Sequence, residues 1–383
     1  MSRYLPFNRP HVTGREFANM QRAVENLHLS GDGPFTRQCQ AWLEQRVGSV
    51  RALLTHSCTA ALEMAALLID VQPGDEVIMP SFTFVSTANA FVLRGAVPVF
   101  VDIRSDTLNL DERAIADAIT PRTRAIVAVH YAGVPADIDA IAAVAQPETI
   151  AIVEDAAQAL GATYRGRAAG SLGNLAALSF HETKNVIAGE GGALLVNDRR
   201  FAERSEVIRE KGTNRSKFLR GQVDKYTWVD LGSSFLPSEL NAAFLHAQLH
   251  EADEITRQRR EVWSWYYRRF EDLERTGILR RPIVPDDCEH NAHMFYVLVS
   301  DLAARSRLIE YLNENGVNAV FHYVPLHSSV AGRRFGRAVG PMTLTNDLAD
   351  RLVRLPLWVG MDQNDVDRVA DLVGRGLQCL SSS

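Results

Sequence analysis

No apolar run in the 383 residues approaches the ~20 that a membrane-spanning helix needs, which excludes a transmembrane span. The N-terminus, Met1-Ser-Arg-Tyr-Leu-Pro-Phe7, carries no apolar signal core. Cysteine is scarce. Cys39, Cys58, Cys288 and Cys379 stand far apart, with neither zinc-like spacing nor a disulfide framework. These absences predict a soluble, cytoplasmic chain with no metal centre. Dense positive charge is also missing. Net charge is -5, and beyond local pairs such as Arg259-Arg260 and Arg268-Arg269 there is no basic patch, which argues against nucleic acid as a partner. No internal repeat or low-complexity tract occurs. No Gly-x-Gly-x-x-Gly follows an early strand, and Gly189-Glu-Gly-Gly192 has the wrong spacing and place for a nicotinamide-binding turn.

What is present is ordinary globular material, 46% hydrophobic and 23% charged, enough for a large domain and a smaller one. Short apolar runs predict strands over 52–55, 76–79, 97–102, 125–130, 150–154, 176–180 and 193–197. Helical patterns fall between several of them, over 59–69, 84–94, 111–119 and 201–211. Alternation of this kind predicts an α/β fold with a mostly parallel sheet and helices on both faces. Ligands gather at the C-terminal strand ends of such sheets. A long helix is expected from 238 past 266. Beyond it, strands at 293–299 and 317–321 and helices at 302–315, 346–354 and 364–376 predict a smaller α+β unit. The expected division is an arm over 1–33, a large domain over 34–250 and a small one over 251–383.

Four strand ends carry candidate chemistry. Lys184 lies in Ser179-Phe-His-Glu-Thr-Lys-Asn185, about thirty residues after Glu154-Asp-Ala-Ala-Gln158. A lysine at one strand end and a carboxylate at another can hold the two ends of a pyridoxal phosphate (PLP) ring, the lysine as a Schiff base and Asp155 on the ring nitrogen. A lone lysine is usually a solvated surface residue, but the flanking Ser179, His181 and glycines weaken that reading. Asp155 serves equally well as a plain helix cap, while Gln158 is in reach of the ring's phenolic oxygen. His56-Ser-Cys-Thr59 opens a helix after a strand, a natural anion seat, although Ser57 or Thr59 as a simple N-cap is the commoner meaning. Phe82 ends another strand and suits either stacking on the pyridine or the core. Phe321-His-Tyr-Val-Pro-Leu-His327 suits a flap over a polar substrate or a solvated turn. Its histidines have no metal-ligand company. The polar stretches 211–215 and 222–234, with Tyr226 and Trp228, read as loops for a ligand or as plain surface.

On these residues the chain resembles the sugar-nucleotide aminotransferases of the DegT/StrS group, which have the fold-type I PLP-enzyme architecture. The resemblance covers essentially the full length. It is most specific in Gly74-Asp-Glu-Val-Ile-Met-Pro80, Val129-His-Tyr-Ala-Gly133, Glu154-Asp-Ala-Ala-Gln158, Ser179-Phe-His-Glu-Thr-Lys-Asn185 and His322-Tyr-Val-Pro-Leu-His327. The stretches 209–215 and 224–228 look most like the subgroup forming dTDP-4-amino-4,6-dideoxygalactose from dTDP-4-keto-6-deoxyglucose and L-glutamate.

The resemblance implies that Lys184 bonds PLP, Asp155 pairs with the pyridinium, Gln158 contacts the phenolic oxygen and Phe82 stacks on the ring. It implies a phosphate held by Ser57, Cys58, Thr59 and Ser179, and a nucleotide-sugar substrate met by His322, Tyr323 and His327. It also implies a homodimer with interface active sites and a role in surface-polysaccharide amino-sugar synthesis. A partner-chain Asn commonly touches the phosphate in this family. Here Ser234 stands in its place, and Leu236 replaces a common Arg. Amination of another ketosugar at C3 or C4 is the alternative. A PLP-dependent sugar dehydratase is disfavoured, because some such relatives replace the lysine by histidine and Lys184 is present. A PLP-binding regulator lacks an effector domain.

Overall fold

The computed structural model describes residues 3–145 and 150–381, the side chains of 379–381 excepted, so Cys379 falls outside the described side chains. An eight-stranded sheet forms the centre, in the order Arg51–Thr55, Gly192–Val196, Leu175–Ser179, Ala151–Asp155, Thr123–Val129, Glu76–Pro80, Val97–Val101 and Arg337–Ala338. Every pairing is parallel except the two made by Gly192–Val196. All seven expected strands form, with ends shifted by a residue or two, and the short edge strand Arg337–Ala338 is an addition.

The strands are apolar throughout because both faces are covered. Successive side chains alternate: Leu175 and Ala177 enter one buried cluster, Ala176 and Leu178 another across the sheet. The Ala-rich helix Cys58–Leu68 packs on the first face, and its small side chains let it lie close to the strands. A further buried cluster lies apart from the sheet. It joins Leu5 to aromatic and aliphatic side chains between Val262 and Leu377, beside the two-stranded pair Phe295–Leu298 and Leu352–Leu355.

Several expectations change here. The single helix expected from 238 is two, Glu239–His250 and Ala252–Arg269, broken at Glu251. The first buries Ala242, Ala243 and Leu245 against the sheet cluster, while the second buries Val262, Trp263 and Tyr266 in the outer one. The change of direction serves two cores. The helix expected over 346–354 ends at Arg351, and Leu352–Leu355 is a strand antiparallel to Phe295–Leu298. The stretch 317–321 makes only isolated bridges, Leu5 to Val317 and Val320 to Arg354. The arm over 1–33 contains a helix, Glu16–Glu25. Among the described residues no helix is long and apolar enough to cross a membrane.

Candidate active site

The parallel strands point their C-terminal ends to one edge of the sheet, and a cavity of about 450 Å³ opens there. Its wall includes Ser57, Cys58, Thr59, Asp155, Gln158 and Ser179, together with Lys184. His322 and Tyr323 also face it. Residues scattered over 267 positions of sequence, Ser57 to Tyr323, are thus brought together. Phe82, His327 and Ser234 are not on the wall.

Alternation within Ala151–Asp155 explains how two adjacent acids serve different ends. Glu154 points away from the cavity and is fully buried. Its carboxylate accepts from the backbone N–H of Gly170 (2.7 Å), Leu172 (2.6 Å) and Gly173 (2.7 Å), and meets His130 Nε2 at 2.8 Å. The Ala136 N–H donates to His130 Nδ1 at 3.0 Å, so Nε2 carries the proton toward Glu154. This pins the strand end that carries Asp155. Asp155 faces the cavity. Its Oδ2 accepts from the Thr87 hydroxyl at 2.7 Å, and its Oδ1 from the Ala157 N–H at 3.2 Å. Thr83 meets Thr87 at 2.8 Å behind it. The carboxylate is therefore held in one orientation before any ligand arrives.

Lys184 lies on the loop joining two antiparallel strands, Leu175–Ser179 and Gly192–Val196. Burial pushes its ammonium below the usual lysine range, and the charge of Arg354 adds to this, while Cys58 and Asp155 oppose it. The amine is thereby biased toward its neutral, nucleophilic form. Gly192 shows why the glycines beside this loop are needed. A Cβ there would lie 2.4 Å from the Cys58 nitrogen and 2.5 Å from the Ser57 oxygen. The strand thus passes directly under the start of helix Cys58–Leu68. Ser57 caps that helix, accepting from Ala60 N–H at 3.0 Å. The cap and the anion seat are therefore compatible: the first-turn N–H groups of Cys58 and Thr59 have no helical acceptor, and both residues line the cavity.

Gln158 is pre-oriented, its Oε1 accepting from Ala132 N–H (2.7 Å) and its Nε2 donating to the Tyr323 hydroxyl (3.1 Å). His322 Nδ1 meets the Tyr131 hydroxyl at 3.0 Å, and burial pushes its imidazole well below the usual histidine range.

The structure places Phe82 differently from the sequence expectation. It is 0% exposed and packs on Tyr131 (5.1 Å between centroids) and Tyr323 (5.6 Å), behind the cavity wall. Phe84, two residues on and 57% exposed, lines the cavity instead. Period-two alternation carries Phe82 inward, and the chain turns before Phe84. His327 is held outside by Ser81, whose hydroxyl lies 2.7 Å from its Nδ1 and 3.0 Å from its backbone N. Ser234 is exposed in a separate surface groove with Lys211 and Arg215. Thr87, Phe84, His293 and Arg354 were missed. Arg354 alone had a visible signal, a lone cation within Leu352-Val-Arg-Leu-Pro-Leu357.

A buried amine, an opposed and pre-oriented carboxylate and a helix N-terminus around one cavity match the two ends and the phosphate of PLP. With the parallel sheet, they define a fold-type I PLP-dependent aminotransferase. Residues 10–374 match the DegT/DnrJ/EryC1/StrS aminotransferase family. The chain belongs to that family, whose members are PLP-dependent sugar aminotransferases. It is 34% identical over 378 residues to the spore coat polysaccharide biosynthesis protein SpsC of Bacillus subtilis, covering 97% of this chain and 96% of that one. Among solved structures it is similar to the aminotransferase TlmJ of Streptoalloteichus hindustanus (TM-score 0.89, 30% identity, 98% and 100% of the two chains). It is also similar to DesI solved in the presence of its TDP-sugar product (TM-score 0.88, 31% identity, 100% and 96%).

Proposed function

We propose that the chain transfers an amino group from L-glutamate to C4 of a nucleotide-linked keto-deoxysugar, with dTDP-4-keto-6-deoxyglucose as the substrate and dTDP-4-amino-4,6-dideoxygalactose and 2-oxoglutarate as the products. The observation that carries the reading is the placement of Lys184 across one cavity from Asp155. The sugar and nucleotide rest on the motif resemblance, with support from the polysaccharide role of SpsC and the TDP-sugar product of DesI.

Bound PLP supplies the electron-withdrawing ring and the carbon that carries the amine between donor and acceptor. Lys184 would hold it through Nζ, and the same amine would be placed to carry a proton at the reacting carbon. Asp155, fixed by Thr87 and Ala157, keeps the ring nitrogen protonated. The Cys58–Leu68 helix start, with Ser179, receives the phosphate. Phe84 takes the stacking role expected of Phe82, and Gln158 meets the phenolic oxygen. His322 and Tyr323 close the far wall and exclude water.

The working unit in this reading is a homodimer. Phe84 is 57% and Trp228 73% exposed, with Val85, Leu231 and Val229 also open, apolar side chains that a second copy would cover. Ser234, outside its own chain's cavity, then faces the partner's site. Incubation with glutamate and the dTDP-ketosugar should yield an amino sugar and 2-oxoglutarate, identified by NMR. Absence of nitrogen transfer from a PLP-loaded protein defeats the proposal.

A further inference from the structure

We propose that Asn291, a residue outside the cavity, is a positioning residue for the cofactor: its side-chain amide fixes where Gln158 stands. The role rests on the contact between Gln158 and the phenolic oxygen given above. Asn291 is 1% exposed and does not line the cavity. It lies in the irregular stretch just before the strand Phe295–Leu298. Its Nδ2 donates to the Gln158 oxygen at 2.8 Å and to the Leu160 oxygen at 3.0 Å. Its Oδ1 accepts from the His293 N–H at 3.0 Å. Two carbonyls and one N–H thus converge on one side chain. An amide answers that set, because it carries two donor protons and an acceptor, whereas a carboxylate has no proton to give and a hydroxyl only one. Both protons are spent, so the amide has a single orientation.

The same amide backs the turn that holds the Gln158 side chain. Gln158 Oε1 accepts from the Ala132 N–H at 2.7 Å. Ala132 and Gly133 are both left-handed, at φ 57° and 80°. A Cβ on Gly133 would lie 1.8 Å from Asn291 Oδ1 and 3.1 Å from the Gln158 oxygen. The turn that presents the Ala132 N–H therefore lies directly against the Asn291 amide. Asn109 holds this turn as well, accepting from the Tyr131 N–H at 2.8 Å and donating to the Val134 oxygen at 3.0 Å. Gln158 is thus fixed at both ends, its backbone by Asn291 and its side chain by a turn packed on Asn291. Removing the amide leaves the buried Gln158 carbonyl without that donor and opens space beside Gly133, so Gln158 shifts.

What Gln158 offers the ring is one N–H. Its Nε2 gives one proton to the Tyr323 hydroxyl at 3.1 Å and keeps the second for the phenolic oxygen. A hydrogen bond weakens steeply when its donor moves or tilts, so a displaced Gln158 loses this contact. Other parts of the site do not depend on the amide. Asp155 is oriented by Thr87 and Ala157, and the phosphate seat lies at the start of the helix Cys58–Leu68. The Asn291 carbonyl, which accepts from Asn185 Nδ2 at 2.8 Å beside Lys184, belongs to the backbone and remains in any variant. The effect of replacing the Asn291 side chain is therefore confined to the phenolic side of the ring.

The test titrates the full chain, freed of cofactor, with PLP and with 3-deoxy-PLP, in which hydrogen replaces the phenolic hydroxyl. Wild type, Asn291→Ala, Gln158→Ala and the double variant are compared, with melting temperature measured alongside. PLP affinity should fall about ten-fold in each single variant and no further in the double one. Affinity for 3-deoxy-PLP should agree within a few-fold between wild type and Asn291→Ala. A merely structural role would weaken both cofactor forms alike and would multiply with Gln158→Ala to about a hundred-fold. Either result overturns the assignment, as does unchanged PLP binding in Asn291→Ala. Should the alanine variant fail to fold, Asn291→Ser, which keeps one donor, is judged by the same two comparisons. No amino donor or ketosugar enters the titration. Failure of this pattern leaves the transaminase reading standing, and absence of nitrogen transfer leaves the role of Asn291 standing.

Discussion

Asn185 Oδ1 lies 3.0 Å from His293 Nδ1, and this contact sets the tautomer of a histidine on the cavity wall. The Asn185 amide cannot be reversed, because its Nδ2 donates to the Asn291 oxygen at 2.8 Å. Its oxygen therefore faces the ring, and His293 must carry its proton on Nδ1. Nε2 is left as a lone pair. Arg259 grips the Ala292 and His293 carbonyls, and Ala292 is in the left-handed region at φ 52°. Burial, then the Lys184 charge, pushes the imidazole well below the usual histidine range. His293 is thus a neutral acceptor at physiological pH.

Replacing Asn185 with Asp tests this. A carboxylate against Nδ1–H favours the imidazolium, so the His293 pKa rises relative to wild type. His293 then gains its proton as pH falls through the raised value, and amine transfer is lost on the acid side. NMR of the imidazole protons should show no titration of His293 between pH 5 and 8 in wild type and a titrating ring in the variant. A silent ring in Asn185→Asp would refute the assigned tautomer.

Thr87 donates to Asp155 Oδ2 at 2.7 Å within the buried Thr83–Thr87 pair. Thr87→Val keeps the shape and removes the donor. The freed carboxylate oxygen costs about 1–2 kcal/mol of ring-nitrogen binding, so PLP affinity should fall roughly ten-fold. Equilibrium binding of the cofactor, with melting temperature as the control, reads this directly. PLP bound as tightly as in wild type would leave Thr87 without an orienting role.

Phe82 and Phe84 should separate stability from cofactor binding. Phe82→Ala empties a fully buried site against Tyr131 and Tyr323 and should cost about 3–5 kcal/mol of folding stability. Phe84→Ala removes a largely exposed side chain on the cavity wall. It should barely move the urea midpoint and should weaken PLP by several-fold. The reverse pattern would return the stacking role to Phe82.

The same pair shows what could be read from residues alone. Apolar runs bounded by turns located the seven main strands, because a strand covered on both faces leaves an unmistakable block such as Ala125-Ile-Val-Ala-Val129. Asp155 stood out because it closes such a block, and Lys184 because it follows another closely, on the loop after Ser179. Phe82 against Phe84 was not legible, since which of them faces the cavity depends on where the strand stops and the chain turns. Thr87 looks like any helix residue, and its contact with Asp155 spans 68 positions. The break at Glu251 was invisible as well: both helices are individually well patterned, and only the existence of two separate cores makes the chain bend there.

His290 makes acid stability a quantitative matter. Its ring packs 4.3 Å from Trp263, and its Nδ1 accepts from the Ala292 N–H at 3.1 Å, which requires the neutral form. Burial, with Arg260 adding to it, pushes its pKa down to about 4. The folded pKa lies below the unfolded value near 6.5, so between those limits the unfolded chain binds a proton that the folded chain does not. Stability is therefore full above about pH 6.5 and falls as pH drops toward 4, at up to about 1.4 kcal/mol per pH unit from this one group. Other histidines contribute in the same sense, His246 also being pushed to about 4, so the substitution isolates the share of His290. Urea unfolding of wild type and His290→Gln at pH 7, 6 and 5 measures it. The variant, less stable at pH 7 for loss of the ring, should lose stability on acidification with about one proton less of slope. Parallel pH profiles would mean that His290 is not held neutral by its surroundings.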